Sequence, residues 1–121
     1  MEPVIIAVDF DGTIVCHKFP NIGKAVPLAI ETIKEWQKIG INIILWTVRS
    51  GKYLDDAVAW CKEHGIEFYG INENPYQKSW STSPKAFAQF YVDDMAVGCP
   101  LMEFEGCKVV DWVKVKGIIG C

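Results

Sequence analysis

Two aspartates near the amino terminus have the spacing of a site that could carry out chemistry on an anion. Asp9 and Asp11 are separated by one residue and are followed by Gly12 and Thr13. Carboxylates bind hard cations, act as nucleophiles and transfer protons, while glycine allows a tight turn and the close approach of a bound anion. The same segment could be an ordinary turn at the end of a strand, so its position in the fold decides between the two interpretations.

That position is indicated by three short, largely apolar runs that each stop at polar residues. The runs are Val4–Val8, which stops at Asp9, Ile41–Trp46, which stops at Thr47, and Ala88–Val92, which stops at Asp93 and Asp94. Continuous apolar runs are typical of strands that are buried on both faces of a parallel sheet. Ligands of open α/β sheets bind beyond the carboxyl ends of the strands. We therefore expect these polar residues, distant along the chain, to form one site.

The segments between the runs predict helices. Apolar residues recur at helical spacing from Val26 to Ile39, before Gly40, and a second helix is expected from about Lys52 to His64, before Gly65. Strands that alternate with helices predict an α/β fold with βαβ units and a parallel sheet. The remaining expectations are a loop over 14–24, a third strand over 66–71, a loop over 72–84, a short strand at 109–110 and a final helix capped by Asp111.

Length and composition are those of an ordinary globular domain. The 121 residues fit a single domain, 1–121, and the net charge of −3 with a pI near 5.3 gives no net attraction to nucleic acid or to an anionic membrane. The five cysteines have no disulfide-framework or zinc-site spacing, which favours reduced thiols and a cytoplasmic location. No apolar stretch approaches the ~20 residues of a membrane span. We expect no membrane partner and no signal peptide.

The segment Val8-Asp-Phe-Asp-Gly-Thr13 resembles the first motif of the haloacid dehalogenase superfamily of phosphohydrolases. Three further motifs of that superfamily follow in order: a strand ending in Thr47, Lys85 ahead of the last catalytic strand, and the acidic pair of Tyr91-Val-Asp-Asp94. The resemblance covers roughly residues 4–98 and implies a Rossmann-like three-layer sandwich with a mostly parallel sheet. The intervals between the motifs leave no room for an inserted cap domain, so we expect an open site.

The resemblance also implies a reaction, the Mg²⁺-dependent hydrolysis of a phosphomonoester through an aspartyl-phosphate. Asp9 would attack phosphorus, and Asp11 would protonate the leaving oxygen and then take a proton from the hydrolytic water. Because an anionic nucleophile meets an anionic phosphate, a cation is needed. Its implied ligands are the Asp9 carboxylate, the Asp11 backbone carbonyl and one acid of the pair Asp93-Asp94. Asp94 is favoured as the direct ligand, and Asp93 would bind through water or hold Lys85.

The implied phosphate ligands are Lys85, the Thr47 hydroxyl, Gly12 and the backbone N–H groups around Phe10-Asp11 and Val48. Lys78 is the alternative to Lys85, and Thr47 could instead cap the helix that follows it.

Recognition of the rest of the substrate is expected at the same entrance. Arg49 follows the second motif and is a candidate substrate contact. The long loop 72–84 contains Tyr76 and Trp80, and we expect it to flank the entrance beside Arg49. The substrate would be a phosphorylated small molecule or an exposed phosphate on a larger molecule. Without a cap, either the substrate is large or a neighbouring subunit of a homo-oligomer supplies the lid.

Two other functions are compatible with the same motifs. One is a phosphatase of nucleic-acid end phosphates, which the acidic pI disfavours. The other is a catalytically silent module that binds phosphate on the same fold. A response-regulator receiver does not fit, because its acidic pair comes early in the chain and its phosphorylated aspartate ends a middle strand.

Overall fold

The chain folds into an α/β structure around a four-stranded parallel sheet. The structure, a computed structural model, describes residues 3–121. The strands in spatial order are β5 (Gly70–Ile71), β4 (Asn42–Leu45), β1 (Ile5–Val8) and β6 (Phe90–Val92), and all three pairings are parallel. The predicted parallel sheet is confirmed, and the fold is compatible with a Rossmann-like arrangement. The carboxyl ends of all four strands therefore lie along one edge of the sheet.

Three helices and two antiparallel hairpins complete the structure. The helices are α1 (Ala29–Lys38), α2 (Gly51–Glu63) and α3 (Trp112–Ile119), and the hairpins pair β2 (Val15–Lys18) with β3 (Asn21–Ala25) and β7 (Leu101–Phe104) with β8 (Cys107–Val110). A single 3₁₀ turn spans Gln77–Ser79. Within the part of the chain that the structure describes, no helix has the length and apolar character needed to cross a bilayer.

The helix boundaries agree with the sequence to within about three residues. Gly40 and Gly65 follow α1 and α2 with φ of +92° and +83°, a left-handed conformation that favours glycine. Asp111 caps α3 as expected, since its Oδ1 accepts a hydrogen bond from the backbone N–H of Lys114 at 3.2 Å.

Two of the expected connections are different. Residues 14–24 form most of the β2–β3 hairpin instead of a loop, because Pro20 lies in its turn and Asn21 begins its second strand. The third strand is limited to Gly70–Ile71, and Ile66 is a buried core residue ahead of it.

The hydrophobic core is distributed unequally over the two faces of the sheet. All three helices contribute to one core cluster, with Ile33 of α1, Cys61 of α2 and Trp112 of α3 packed with the β1 residues Ile6 and Val8. The opposite face carries a smaller cluster, whose buried residues are Ile5, Ala7, Ile44, Ala86 and Ala88. That face is covered by the segment after β5 and not by a helix. The prediction of helices on both faces, as in a three-layer sandwich, is therefore wrong for this face. Residues 72–89, which cover it, have turn formers and no helical periodicity.

The carboxy-terminal segment holds the loop that follows β1. The indole N–H of Trp112 donates to the carbonyl of Thr13 at 2.8 Å, and the backbone N–H of Val110 donates to the carbonyl of Gly12 at 3.1 Å. Trp112 is 1% exposed and also packs against Trp36, with the ring centroids 5.7 Å apart.

Replacing Trp112 with Phe keeps an aromatic ring in the core but removes the indole donor. The buried Thr13 carbonyl then loses this partner, and we expect the free energy of unfolding to fall by about 1–3 kcal/mol. Urea denaturation monitored by circular dichroism measures the change. Trp80→Phe is the matched control, because Trp80 is 65% exposed and its replacement should change stability by less than about 0.5 kcal/mol. Equal effects of the two substitutions would contradict the structural role of the indole hydrogen bond.

Candidate active site

Three carboxylates that are distant along the chain meet at the carboxyl ends of β1 and β6. Asp9 directly follows β1, and Asp93 and Asp94 directly follow β6. One oxygen from each of the three lies within 4.8 Å of the others. The backbone N–H of Asp9 donates to the carbonyl of Val92 at 2.9 Å, which continues the β1–β6 pairing to the site. The parallel sheet therefore assembles the acidic cluster, as expected from the three apolar runs.

A buried threonine hydroxyl joins the two halves of the cluster. The Thr13 hydroxyl donates to Asp9 Oδ2 at 3.0 Å and accepts from the backbone N–H of Asp94 at 3.2 Å. Thr13 is fully buried, so these bonds are shielded from water. Thr13 belongs to the first motif, which assigns it no role. Its hydroxyl comes two residues after Asp11, and this is the signal in the sequence that points to it.

Gly12 makes room for Asp94. Its φ of +84° lies in the left-handed region, and a Cβ at this position would stand 2.3 Å from Asp94 Oδ2. Any larger residue would displace the Asp94 carboxylate. The space beside Gly12, which was expected to admit a bound anion, thus contains the carboxylate of Asp94.

The crowding of the acids changes the proton affinity of Asp9. Burial, a hydrogen bond with Asp94 and the charge of Asp93 raise the pKa of Asp9 from its ordinary value of 3.8 to about 8, against the lowering effect of Thr13. Burial also raises the pKa of Asp94. Without a cation, the folded protein holds a proton on Asp9 that the unfolded chain releases near pH 3.8.

This difference predicts a pH dependence of stability in the metal-free protein. Between pH 3.8 and about pH 8 the folded state binds more protons than the unfolded state, so the contribution of Asp9 to the free energy of unfolding decreases as the pH rises through this window. Asp9→Asn removes the titrating group. From pH 5 to pH 8, the free energy of unfolding of the wild type should therefore fall relative to that of this variant. Urea denaturation in excess chelator measures it. The exposed control Asp55→Asn should leave the pH profile unchanged, and a flat difference for Asp9→Asn would contradict the raised pKa.

Beside the acidic cluster lies an open cavity of about 360 Å³. It is lined by residues that follow β1, β4, β5 and β6: Asp9, Trp46, Thr47, Val48, Asn72 and Asp93. The Thr47 hydroxyl accepts from the backbone N–H of Arg49 at 3.1 Å, so its own proton is available to a ligand. Thr47 and Val48 therefore stand where the sequence predicted phosphate ligands. Asn72 was interpreted as the start of a loop, and its place in the cavity was missed.

Arg49 is buried against Asp11 and does not line the cavity. Its side chain is 0% exposed, and Nε and Nη2 donate to the two oxygens of Asp11 at 2.7 and 2.8 Å. The remaining donors bind the carbonyls of Pro20, Asn21 and Tyr53. All five N–H donors of the guanidinium thus have acceptors.

Aromatic rings enclose the same guanidinium. The Arg49 Cζ atom lies 5.1 Å from the ring centroids of both Phe10 and Phe19, a distance that permits cation–π attraction. Hydrogen bonding to Asp11 raises the pKa of Arg49 above its ordinary value. Arg49 thus lies outside the cavity lining with its donors engaged, and its contact with a substrate stays a prediction that nothing in this arrangement supports. The residue instead fixes Asp11 and the turn of the β2–β3 hairpin, a tertiary pairing that its position after Thr47 did not reveal.

Lys85 lies outside the cavity lining. It is exposed, and its Nζ atom stands 5.5 Å from the ring centroid of Tyr91, two residues before Asp93. The alternative, Lys78, is exposed on the 3₁₀ turn and lines a different cavity. The structure thus brings neither lysine into contact with the acidic cluster.

Of the loop 72–84, only Asn72 lines the cavity beside the acidic cluster. Tyr76 and Trp80 line a cavity of about 420 Å³ together with Ile5, Asn42 and Gln89, which stand at or just before the amino ends of β1, β4 and β6. The predicted position of Tyr76 and Trp80 at the entrance is wrong, because the chain turns back across the second face of the sheet after β5. Asn74 secures that path, since its side-chain N–H donates to the carbonyl of Phe87 at 3.1 Å.

The acidic cluster has the donor set of a hard divalent cation. Asp9, Asp93 and Asp94 are partly buried and supply only oxygen ligands, which suits Mg²⁺ or Ca²⁺. The ion pairs between described residues join Lys24 to Glu105, Arg49 to Asp11 and Lys116 to Glu35, and none of them includes these three acids. A cation bound here would relieve their mutual repulsion.

The comparison with solved structures assigns a family. A structure of a conserved protein from Bacteroides thetaiotaomicron is 39% identical to this chain, has a TM-score of 0.83 and is matched over 98% of this chain and 91% of that one. The chain belongs to the family of that protein. The likeness extends through the whole α/β fold described above, whereas the description of that family member names no activity. No protein-family model and no curated protein matches the chain.

Proposed function

We propose that the chain is a metal-dependent phosphohydrolase that forms an aspartyl-phosphate on Asp9 and acts on phosphomonoesters. The observation that carries the proposal is the meeting of Asp9, Asp93 and Asp94 beside a cavity that Thr47 also lines. A carboxylate nucleophile, a cation-binding set and a free hydroxyl donor are the groups that phosphoryl transfer to an aspartate requires.

The reaction divides between two carboxylates. Asp9 lines the cavity and attacks phosphorus, while Thr13 holds its other oxygen through a hydrogen bond. Asp11 transfers the protons of the leaving group and of the hydrolytic water. Each Asp11 oxygen accepts one hydrogen bond from Arg49 and keeps a second lone pair that can take up a proton. The Thr47 hydroxyl donates to a phosphoryl oxygen, and the flexible side chain of Lys85 supplies positive charge from the Tyr91 side.

Asp9 and the acidic pair Asp93-Asp94 would hold the cation, with the backbone carbonyl of Asp11 as a further ligand. A bound Mg²⁺ supplies positive charge that lowers the repulsion between the carboxylate nucleophile and the phosphate dianion. Asp9, whose pKa is raised in the metal-free protein, would have to give up its proton to hold the cation.

The chain fits the small, capless type of the haloacid dehalogenase superfamily. Between β1 and β4 it has only the β2–β3 hairpin and α1, and between β4 and β6 only α2, β5 and the segment over the second face with its 3₁₀ turn. The site is accordingly open, and the substrate is a phosphorylated metabolite or an exposed phosphate on a larger molecule.

Phosphate release from p-nitrophenyl phosphate, with Mg²⁺ and with excess chelator, tests the proposal. We expect turnover with Mg²⁺ and its loss with chelator, since carboxylate attack on the dianion needs the cation. Undiminished turnover in chelator would refute the metal assignment. A 5′-phosphorylated oligonucleotide in the same assay tests the nucleic-acid alternative.

One observation favours a second candidate, a phosphate-binding module without turnover. Arg49 donates to both oxygens of Asp11 and so favours the charged carboxylate, whereas Asp11 would have to carry a proton to protonate the leaving group. Metal-dependent binding of phosphate without release from any phosphomonoester would support this module over the enzyme.

A further inference from the structure

Asn72 lies at the same edge of the sheet as the acidic cluster and belongs to none of the four sequence motifs. It directly follows β5 and lines the cavity with Asp9 and Thr47. Its backbone N–H donates to the carbonyl of Leu45 at 2.7 Å, which fixes it beside the end of β4. Its φ of +56° lies in the left-handed region, which asparagine adopts more readily than most residues.

The side-chain amide of Asn72 is oriented by a single hydrogen bond. Its Oδ1 atom accepts from the backbone N–H of Thr47 at 2.8 Å. Because Oδ1 and Nδ2 belong to one planar group, Nδ2 also lies close to Thr47. Nδ2 carries two N–H donors, and no described residue accepts a hydrogen bond from it.

The hydrogen bond between the Thr47 backbone N–H and Asn72 Oδ1 determines which donors of Thr47 remain available to a ligand. The Thr47 backbone N–H is occupied by Asn72, while the Thr47 hydroxyl accepts from Arg49 and keeps its own proton. Thr47 and Asn72 both line the cavity, so two hydrogen-bonded residues of its wall offer neutral donors, one hydroxyl and one amide. Neither residue brings a negative charge that would repel an anion.

We propose that Asn72 binds substrate, with Nδ2 donating to a phosphoryl oxygen next to the Thr47 hydroxyl. The inference rests on the proposed function and extends it, because it adds a neutral ligand for a phosphoryl dianion that the four sequence motifs do not contain. Asn72 thus has two tasks: Oδ1 positions Thr47, and Nδ2 contacts the ligand.

Titration of inorganic phosphate into the protein with saturating Mg²⁺, measured by calorimetry, tests the inference with two variants. Asn72→Asp keeps an oxygen for the Thr47 N–H but has no amide donor. Asn72→Gly removes the side chain, adds no charge and suits the left-handed backbone. We expect each to raise the Kd of phosphate by about ten-fold or more, the effect of losing a hydrogen bond to a charged group. The control Asn42→Asp adds the same charge at the amino end of β4 and should change the Kd by less than about two-fold.

The two Asn72 variants share only the loss of Nδ2. Weakening by both to a similar extent, with Asn42→Asp unchanged, supports the contact, whereas clearly unequal weakening would overturn it. If only Asn72→Gly weakens phosphate binding, Asn72 merely positions Thr47. If only Asn72→Asp weakens it, the cause is the added charge. Either result overturns the inference, and so does an unchanged Kd in both variants. If the wild type neither binds phosphate nor hydrolyses p-nitrophenyl phosphate, the proposed function fails and the inference fails with it.

Discussion

Asp9→Asn should reduce turnover of an aryl phosphate by about 10⁴-fold or more, to the background rate. The substitution replaces the nucleophilic carboxylate with an amide, which cannot attack phosphorus effectively. It preserves the shape of the side chain. The Thr13 hydroxyl can still donate to the remaining amide oxygen, so the fold should be retained. Steady-state release of p-nitrophenol in Mg²⁺ measures the effect.

Two comparisons make this result specific. Asp55→Asn, on the exposed surface of α2, should leave turnover unchanged. Asp11→Asn removes the proton-transfer group but not the nucleophile, and should cost about 10²–10⁴-fold. Substantial turnover by Asp9→Asn, with a folded protein, would exclude Asp9 as the nucleophile.

Arg49→Met should lower the free energy of unfolding by about 3–5 kcal/mol, the cost of breaking a buried ion pair by removing one partner. The substitution leaves Asp11 without its bidentate partner and the carbonyls of Pro20 and Asn21 without the donors that hold the hairpin turn. Urea denaturation gives the loss.

Lys24→Met is the matched control for Arg49→Met. Lys24 pairs with Glu105 at 2.9 Å, but both side chains are more than half exposed and water screens the pair, so its loss should lower stability far less than the loss of Arg49. A loss in Arg49→Met no larger than that in Lys24→Met would contradict the role of Arg49 as the centre of a buried cluster.

The sequence predicts the acidic cluster because its determinants are local. The residues of β1 alternate between the two faces of the sheet, and both faces are buried, so Ile5, Ile6, Ala7 and Val8 form one continuous apolar run. A parallel sheet then brings Asp9 to Asp93 without any further information. The glycines after α1 and α2 and the cap at Asp111 are likewise local signals.

Tertiary partners are what the sequence does not predict. Nothing next to Arg49 indicates that Asp11 and the hairpin turn would bury it, since the partners are 38 and about 28 residues away. The path of loop 72–84 depends on long-range contacts such as Asn74 with Phe87 and on a sheet face that no helix covers. Asn72 enters the site through its contact with Thr47, 25 residues away.

The attachment point of the phosphoryl group tests the central claim most directly. The protein is mixed with an aryl phosphate and Mg²⁺, quenched in acid within the first turnovers, digested and analysed by mass spectrometry, with Asp9→Asn treated in parallel. The account predicts a phosphorylated peptide that contains Asp9, with the modification on that residue, and none from the variant. Phosphate on any other residue, or hydrolysis by the wild type without a phosphoenzyme while Asp9→Asn remains active, would contradict it.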